Sequence, residues 1–328
     1  MTSTQIQTSK LNDPLLHGFE MPLEATYYPL GFPLQITTNC TDILSAADDS
    51  WGRFREIYSQ PALQMRIGVL EGGPSECPGD PVYRSQRSLQ ARIADPENFS
   101  VSDIRTGFAY AWLTRATVQN RAYLRWHFIE GMTWDLLGPY ITPVHAGCVR
   151  FAGRGVLMCG DSGAGKSSLT YACARRGWTF MSDDSSNLVR GREGAVVVGN
   201  PYQIRFRESA LELFPELRTR PLTAKFTGGL AIELATSGLP EIETTLESSV
   251  DYIVFLNRSL GGPARLVSFS KEAALQWFEQ VIFCAEKDFV DAQKASLRNL
   301  LSAQVFELRY NDLTSAIERL ESLIQNGR

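Results

Sequence analysis

Histidine is almost missing from this chain. His17, His127 and His145 are the only three in 328 residues, which argues against a histidine-rich metal site. The six cysteines, Cys40, Cys77, Cys148, Cys159, Cys173 and Cys284, lie far apart. None has CxxC or metal-knuckle spacing, so they read as reduced core thiols of a cytoplasmic protein. No apolar run approaches the roughly 20 residues needed to span a bilayer, and no membrane partner is expected. Met1 to Pro14 is polar, has none of the apolar core of a secretory signal, and reads as a frayed end. A basic excess is absent too. Residues 1–140 hold 11 Lys and Arg against 15 Asp and Glu, and residues 141–328 hold 21 against 21. With a net charge of −4 spread in this way, nucleic acid is not expected as a partner.

What is present divides at about residue 118. Residues 1–118 read as a β-rich N-terminal domain, with apolar-containing runs at Leu34–Ile36, Arg66–Leu70 and Phe108–Leu113 separated by turn formers. Gly72 to Pro81 is expected to be an exposed loop. Residues 119–140 read as a connecting helix, because Tyr123, Leu124, Phe128, Met132 and Leu136 recur at near-helical spacing and Gly138-Pro139 follows. Residues 141–328 mix strands and helices in the manner of an α/β nucleotide-binding domain. Strands are expected at Val144–Phe151, Val156–Cys159, Trp178–Met181, Asp251–Leu256 and Val305–Tyr310, with a hairpin over Leu188–Val198. Helices are expected at Lys166–Arg176, Lys271–Glu286, Val290–Ser302 and Leu313–Gln325. Trp51, Trp112, Trp126, Trp134 and Trp277 read as core residues.

The segment Gly160-Asp161-Ser162-Gly163-Ala164-Gly165-Lys166-Ser167 matches the phosphate-loop pattern GxxxxGK[ST] at every fixed position. An apolar strand precedes it and a helix follows. Its glycines let successive N–H groups turn inward on a polyphosphate, and the helix N-terminus adds partial positive charge. Lys166 is expected on the β- and γ-phosphates of a nucleoside triphosphate, Ser167 on magnesium, and Ser168 continues the site into the helix.

Asp183 and Asp184 follow the strand Trp178–Met181, 17 and 18 residues after Lys166. If that strand runs parallel beside the P-loop strand, both carboxylates face the γ-phosphate. One acid would hold the metal and the other would take a proton from an attacking hydroxyl. His145 lies 21 residues before Lys166, on the strand expected to pair through the turn Gly153–Gly155 with the strand entering the P-loop. Arg205, Arg207 and Lys225 are candidate cations for charge on the transferred phosphoryl group, and Arg205 and Arg207 share a face if Gln203–Arg207 is a strand.

The run His145-Ala146-Gly147-Cys148-Val149, then Gly155 through Ser167, then Asp183-Asp184 resembles the C-terminal catalytic domain of the HPr kinase/phosphorylase family. The resemblance implies an α/β P-loop kinase domain of the HPr kinase and phosphoenolpyruvate carboxykinase type, using ATP and Mg2+. It implies that Asp183 is the base, that His145 assists proton movement, and that the acceptor is a hydroxyl. The family's Glu-x-Arg-Gly signature falls on Gln203-Ile204-Arg205-Phe206, without its acid and its glycine. That departure speaks against the reverse phosphorylase reaction and against HPr as the acceptor. The expected function is therefore an ATP- and magnesium-dependent kinase acting on a hydroxyl of a peptide, a protein or a small molecule. Its catalytic residues are Asp183, Asp184, His145, Lys166 and Arg205, its metal ligands Ser167 and Asp184, and the N-terminal domain selects the acceptor. The rival reading is a nucleotide-dependent hydrolase or switch, and a homo-oligomer is left open.

Overall fold

Alternation of apolar and polar residues builds the first half of the chain. The computed structural model describes residues 18–224, 229–258, 262–282 and 286–326. The frayed end expected at Met1–Pro14, and Lys225 and Cys284, lie outside the described residues. Seven strands form one sheet: β1 (Leu23–Tyr27), β2 (Leu34–Thr38), β3 (Leu63–Leu70), β4 (Val82–Gln86), β5 (Leu89–Ile93), β6 (Phe99–Asp103) and β7 (Phe108–Thr114). Their order is β1-β2-β3-β7-β6-β5-β4, with β2, β3 and β7 parallel at the centre. Leu63, Met65, Ile67 and Val69 point into the core while Gln64 and Arg66 point away, the period-two pattern of a half-buried strand. A helix that the sequence reading missed, α1 (Thr41–Trp51), buries Ile43, Ala46, Ala47 and Trp51 along one stripe in the same core.

The expected connecting helix is present, and its middle is unusual. An α-turn at Arg121–Tyr123 leads into a π-helical stretch, Leu124–Glu130, and then α-helix Gly131–Leu137. The apolar spacing explains the wide turn. Leu124, Phe128, Met132 and Leu136 repeat every four residues, and all are fully buried. A repeat of four overshoots a 3.6-residue turn by about 40° per step, so a straight α-helix would carry these side chains off the core face. A π-turn absorbs that drift. Trp126 and Trp134 lie on the other side and are exposed, not in the core as expected.

In the second half, β8 (Ile141–Pro143), β9 (Gly147–Phe151) and β10 (Arg154–Cys159) lead to the P-loop and to helix α2 (Lys166–Arg175). The chain continues through β11 (Thr179–Ser182), β12 (Ser186–Val189), β13 (Val196–Gly199), β14 (Gln203–Phe206), β15 (Leu222–Ala224), β16 (Leu230–Ala235), β17 (Glu247–Ser249) and β18 (Tyr252–Arg258). It ends with β19 (Arg265–Ser268), α3 (Lys271–Glu279), α4 (Lys287–Leu300), β20 (Gln304–Tyr310) and α5 (Leu313–Asn326). The main sheet runs β11-β9-β10-β18-β20-β19, with β10, β18 and β20 parallel. It is buried on both faces. Val156 and Met158 face a core shared with α2 and α5, while Leu157 and Cys159 face one shared with α3 and α4. That is why β10 reads as an unbroken apolar run. The result is a mixed α/β protein of several sheets. Among the described residues no helix is long and apolar enough to cross a membrane.

Several expected boundaries move. The strand expected at Val144–Phe151 begins at Gly147, and the tight turn is Ala152-Gly153, both at positive φ, with Phe151 paired to Arg154. Strand β11 does not lie beside β10: β9 runs antiparallel between them, so β11 points the same way as β10 from one strand further out. Helix α3 stops at Glu279, short of Glu286. The hairpin expected over Leu188–Val198 is formed by β12 and β13.

Candidate active site

The P-loop leaves the carboxyl end of β10 and closes onto the first turn of α2. Gly160, Gly163 and Gly165 take φ of 144°, 95° and 100°, a region that only glycine enters without strain. Gly165 is also fixed by space, because a Cβ there would lie 2.6 Å from the Tyr310 hydroxyl oxygen. That hydroxyl donates to the Ala164 carbonyl at 3.2 Å, so β20 braces the loop from behind. Lys166 is buried and folds back along the loop, donating to the Gly160 carbonyl at 2.7 Å and the Asp161 carbonyl at 3.4 Å. Its ammonium is 3.1 Å from Asp184 Oδ1. The Trp277 indole N–H points at the Asp161 carboxylate from 3.4 Å.

The two aspartates occupy the sharp connection between β11 and β12. Ser182 and Ser186 bridge its ends through their hydroxyls at 2.8 Å. Gly147 lets the connection come close to β9, because a Cβ there would sit 2.7 Å from both the Asp183 carbonyl oxygen and Thr170 Cγ2. Asp183 Oδ2 accepts the backbone N–H of Arg205 at 2.9 Å. Burial pushes the Asp183 carboxyl up to about 6. The Arg205 N–H and the Ser167 hydroxyl oppose that rise, while the Asp184 charge reinforces it. Asp184 is placed differently, against the Lys166 ammonium. Two adjacent carboxyl groups thus stand in unlike surroundings, the arrangement that divides acid–base work from charge pairing.

His145 is not on a strand. It occupies the connection between β8 and β9, where the Val144 N–H donates to the Ser186 carbonyl and the Ser186 N–H donates to the Ala146 carbonyl. Between those two bonds His145 adopts φ 40°, a strained value for a residue with a side chain. The ring is half exposed, with Nε2 3.7 Å from Asp184 Oδ1. The same backbone clip that binds residues 144–146 to Ser186 therefore brings His145 over the acidic pair.

The cations separate. Strand β14 ends at Phe206, so Arg205 and Arg207 do not share a strand face. Arg205 turns to Glu233 on β16, Nε to Oε1 at 2.9 Å. Arg207 reaches the P-loop and donates to the Ser162 hydroxyl. A cleft of about 400 Å³ joins Ser162, Lys166, Ser167, Asp183, Arg205 and Arg207. Arg258, at the end of β18, lines the same cleft beside Gly165. Sequence reasoning missed Arg258, although its place at the carboxyl end of a buried parallel strand was a usable signal.

The donor set suits magnesium. Asp184 Oδ1 is shut from solvent and, despite the nearby Lys166, accepts no well-aligned hydrogen bond. Ser167 and Ser168 line the same cleft. Among the described residues no group of three or more His, Cys, Asp or Glu is gathered as a protein cage. Magnesium asks for little of the kind, since it binds through one or two carboxylates plus substrate phosphates and keeps several waters.

No protein-family profile matches the chain, and a search of curated proteins finds no match. Among solved structures the chain is similar to the Hpr(Ser) kinase/phosphatase from Coxiella burnetii, at 15% identity and a TM-score of 0.30. The match covers 57% of this chain and 96% of that one. The likeness is distant, and the functional reading rests on the geometry of the site.

Proposed function

We propose that this protein is an ATP- and magnesium-dependent kinase that transfers the γ-phosphoryl group to a hydroxyl, with an active site of HPr-kinase type. One observation carries the reading. Asp183 stands beside Ser167 in the cleft that contains the P-loop, its neighbour Asp184 lies against the Lys166 ammonium, and burial raises the Asp183 carboxyl to about 6. A base of that strength is ionised at neutral pH yet accepts a proton far more readily than an ordinary aspartate.

In this reading the loop N–H groups from Gly160 to Ser168 and the α2 N-terminus receive the β- and γ-phosphates. Lys166 leaves its loop carbonyls for the phosphate oxygens. Ser167 and Asp184 would hold magnesium, which would supply positive charge to offset that of the polyphosphate. Asp183 takes the proton of the acceptor hydroxyl, the acceptor oxygen bonds to the γ-phosphorus, and the β–γ bridging bond breaks to release ADP. Arg207 and Arg258 face the charge that develops there. His145, beside Asp184, assists proton movement. Arg205 acts through its main chain, as the residue that positions Asp183.

Incubation of the protein with ATP and magnesium, with and without pooled hydroxyl-bearing metabolites and peptides, tests the reading by phosphate transfer. Transfer to a carbon-bound hydroxyl is the expected result. Phosphate released only to water would identify a hydrolase, and no nucleotide binding at all would end both readings.

A further inference from the structure

A second cleft, of about 460 Å³, opens on the other side of Arg205. That volume suits a small metabolite. Its walls come from far apart in the chain: the end of α1, the π-helical stretch, and the segment from Asn200 through β14 with its partner β16. Arg205 lines both clefts, and its N–H holds the Asp183 carboxylate. The candidate base therefore stands where the two clefts approach each other.

The charges in this cleft are mostly committed. Arg125 donates to the Ser50 hydroxyl at 2.9 Å and to Glu130 at 2.9 Å, and the Ser50 hydroxyl donates to Glu130 at 2.8 Å, closing a rigid triangle. Arg205 is paired with Glu233, and Asp49 with Arg121. Arg53 is exposed and, among the described residues, makes no hydrogen bond or ion pair. Trp126, exposed by 41%, adds an aromatic ring to the same wall. That wall is the π-helical stretch, and π-turns inside helices are frequent at functional sites.

We infer that this second cleft binds the phosphoryl acceptor, and that the acceptor is a small molecule bearing both a hydroxyl and a carboxylate. The inference rests on the kinase reading above. Arg53 receives the carboxylate, Trp126 covers the carbon skeleton, and the Arg125–Ser50–Glu130 triangle offers fixed polar partners. The hydroxyl points past Arg205 toward Asp183, which takes its proton as the oxygen bonds to the γ-phosphorus and ADP departs. A polypeptide acceptor fits less well, because the one uncommitted cation of this cleft asks for a single anionic group.

The test uses the full-length protein, radiolabelled γ-phosphate ATP and magnesium. The acceptors are L-serine, L-homoserine and D-glycerate, their methyl esters, and a serine peptide blocked at both ends. Label should enter at least one free acid and be lost roughly tenfold or more in its ester, the scale of a charge-assisted hydrogen bond. Arg53→Ala should raise the acceptor KM by roughly tenfold or more while the KM for ATP stays the same, and Arg53→Lys should restore part of the loss. Trp126→Ala should also raise the acceptor KM alone. Label confined to the peptide or to water, equal labelling of acid and ester, or an unchanged acceptor KM in Arg53→Ala would overturn the inference. Failure of the wild-type protein to bind or consume ATP, measured separately by calorimetry, would instead overturn the kinase reading beneath it.

Discussion

The two clefts that meet at Arg205 are built in opposite ways. The cleft proposed for the nucleotide takes its glycine loop, its lysine and its acidic pair from one continuous segment, His145 to Asp184, in which two strands, a loop, a helix and a strand follow in order, and only its arginines come from beyond it. The second cleft, proposed for the acceptor, is drawn from four segments, around residues 50, 125, 200 and 233. A site made from one segment leaves its spacing in the sequence. A site made from four leaves only scattered residue types, and its chemistry emerges when the fold gathers them.

Four changes can break or sharpen that contrast, taken from the largest expected effect. Lys166→Ala should lower phosphate transfer by roughly 10³-fold or more, since it removes the ammonium from the phosphates. Calorimetric titration with ATP should show the loss at the nucleotide end, with the acceptor cleft unaffected. Near-normal turnover by a folded Lys166→Ala protein would refute the assignment.

Asp183→Asn should keep ATP affinity and slow transfer by roughly 10²-fold. It should also stabilise the fold. A carboxyl raised from 3.8 to about 6 by burial is penalised when ionised, so the wild-type fold carries that cost above pH 6. The penalty shrinks as pH falls from about 6 toward 3.8 and is gone below that range. Thermal melts should show the variant ahead of wild type at pH 7.5 and level with it at low pH. Melting curves that coincide at every pH would remove the burial argument.

The pH dependence of kcat/KM gives a third measure. Activity should fall about tenfold per pH unit below an apparent pKa near 6, as Asp183 takes up its proton. A flat profile down to pH 5 would move the base elsewhere.

His145→Ala should cost about tenfold in kcat with little change in melting temperature, because the ring is half exposed and packs into no core. A variant that melts several degrees lower and turns over normally would make His145 a structural residue.

The residues bear out the difference between the two ends. The P-loop could be read because its glycines, lysine and serine are each needed by one local geometry, and Asp183-Asp184 because one helix and one strand span the interval to Lys166. Their nearness does not come from β11 lying beside β10, since β9 separates the two strands. The backbone bonds between Ser186 and residues 144–146 draw the acidic pair and His145 together, and main-chain bonds leave no residue signature. The same limit applies to Arg205. Its value as a cation was a matter of residue type, whereas the structure uses its N–H toward Asp183 and gives its side chain to Glu233. Helix α1 was overlooked because its stripe, Ile43, Ala46, Ala47 and Trp51, sits between strands in a segment rich in small and polar residues. Residue type alone puts Trp126 in the core, whereas its place two positions from the buried Leu124 and Phe128 turns it outward.

That turn has a hereditary side. One codon lost between Leu124 and Glu130 would leave a stretch short enough to wind as ordinary α-helix, shifting the side chains within the stretch while the helix on either side kept its face. Arg125 and Trp126 would leave the cleft in a single step, while the P-loop, on another part of the chain, would keep its register. A lineage could thus reshape the second cleft through one small deletion or insertion and leave the glycine loop and its acidic pair as they were.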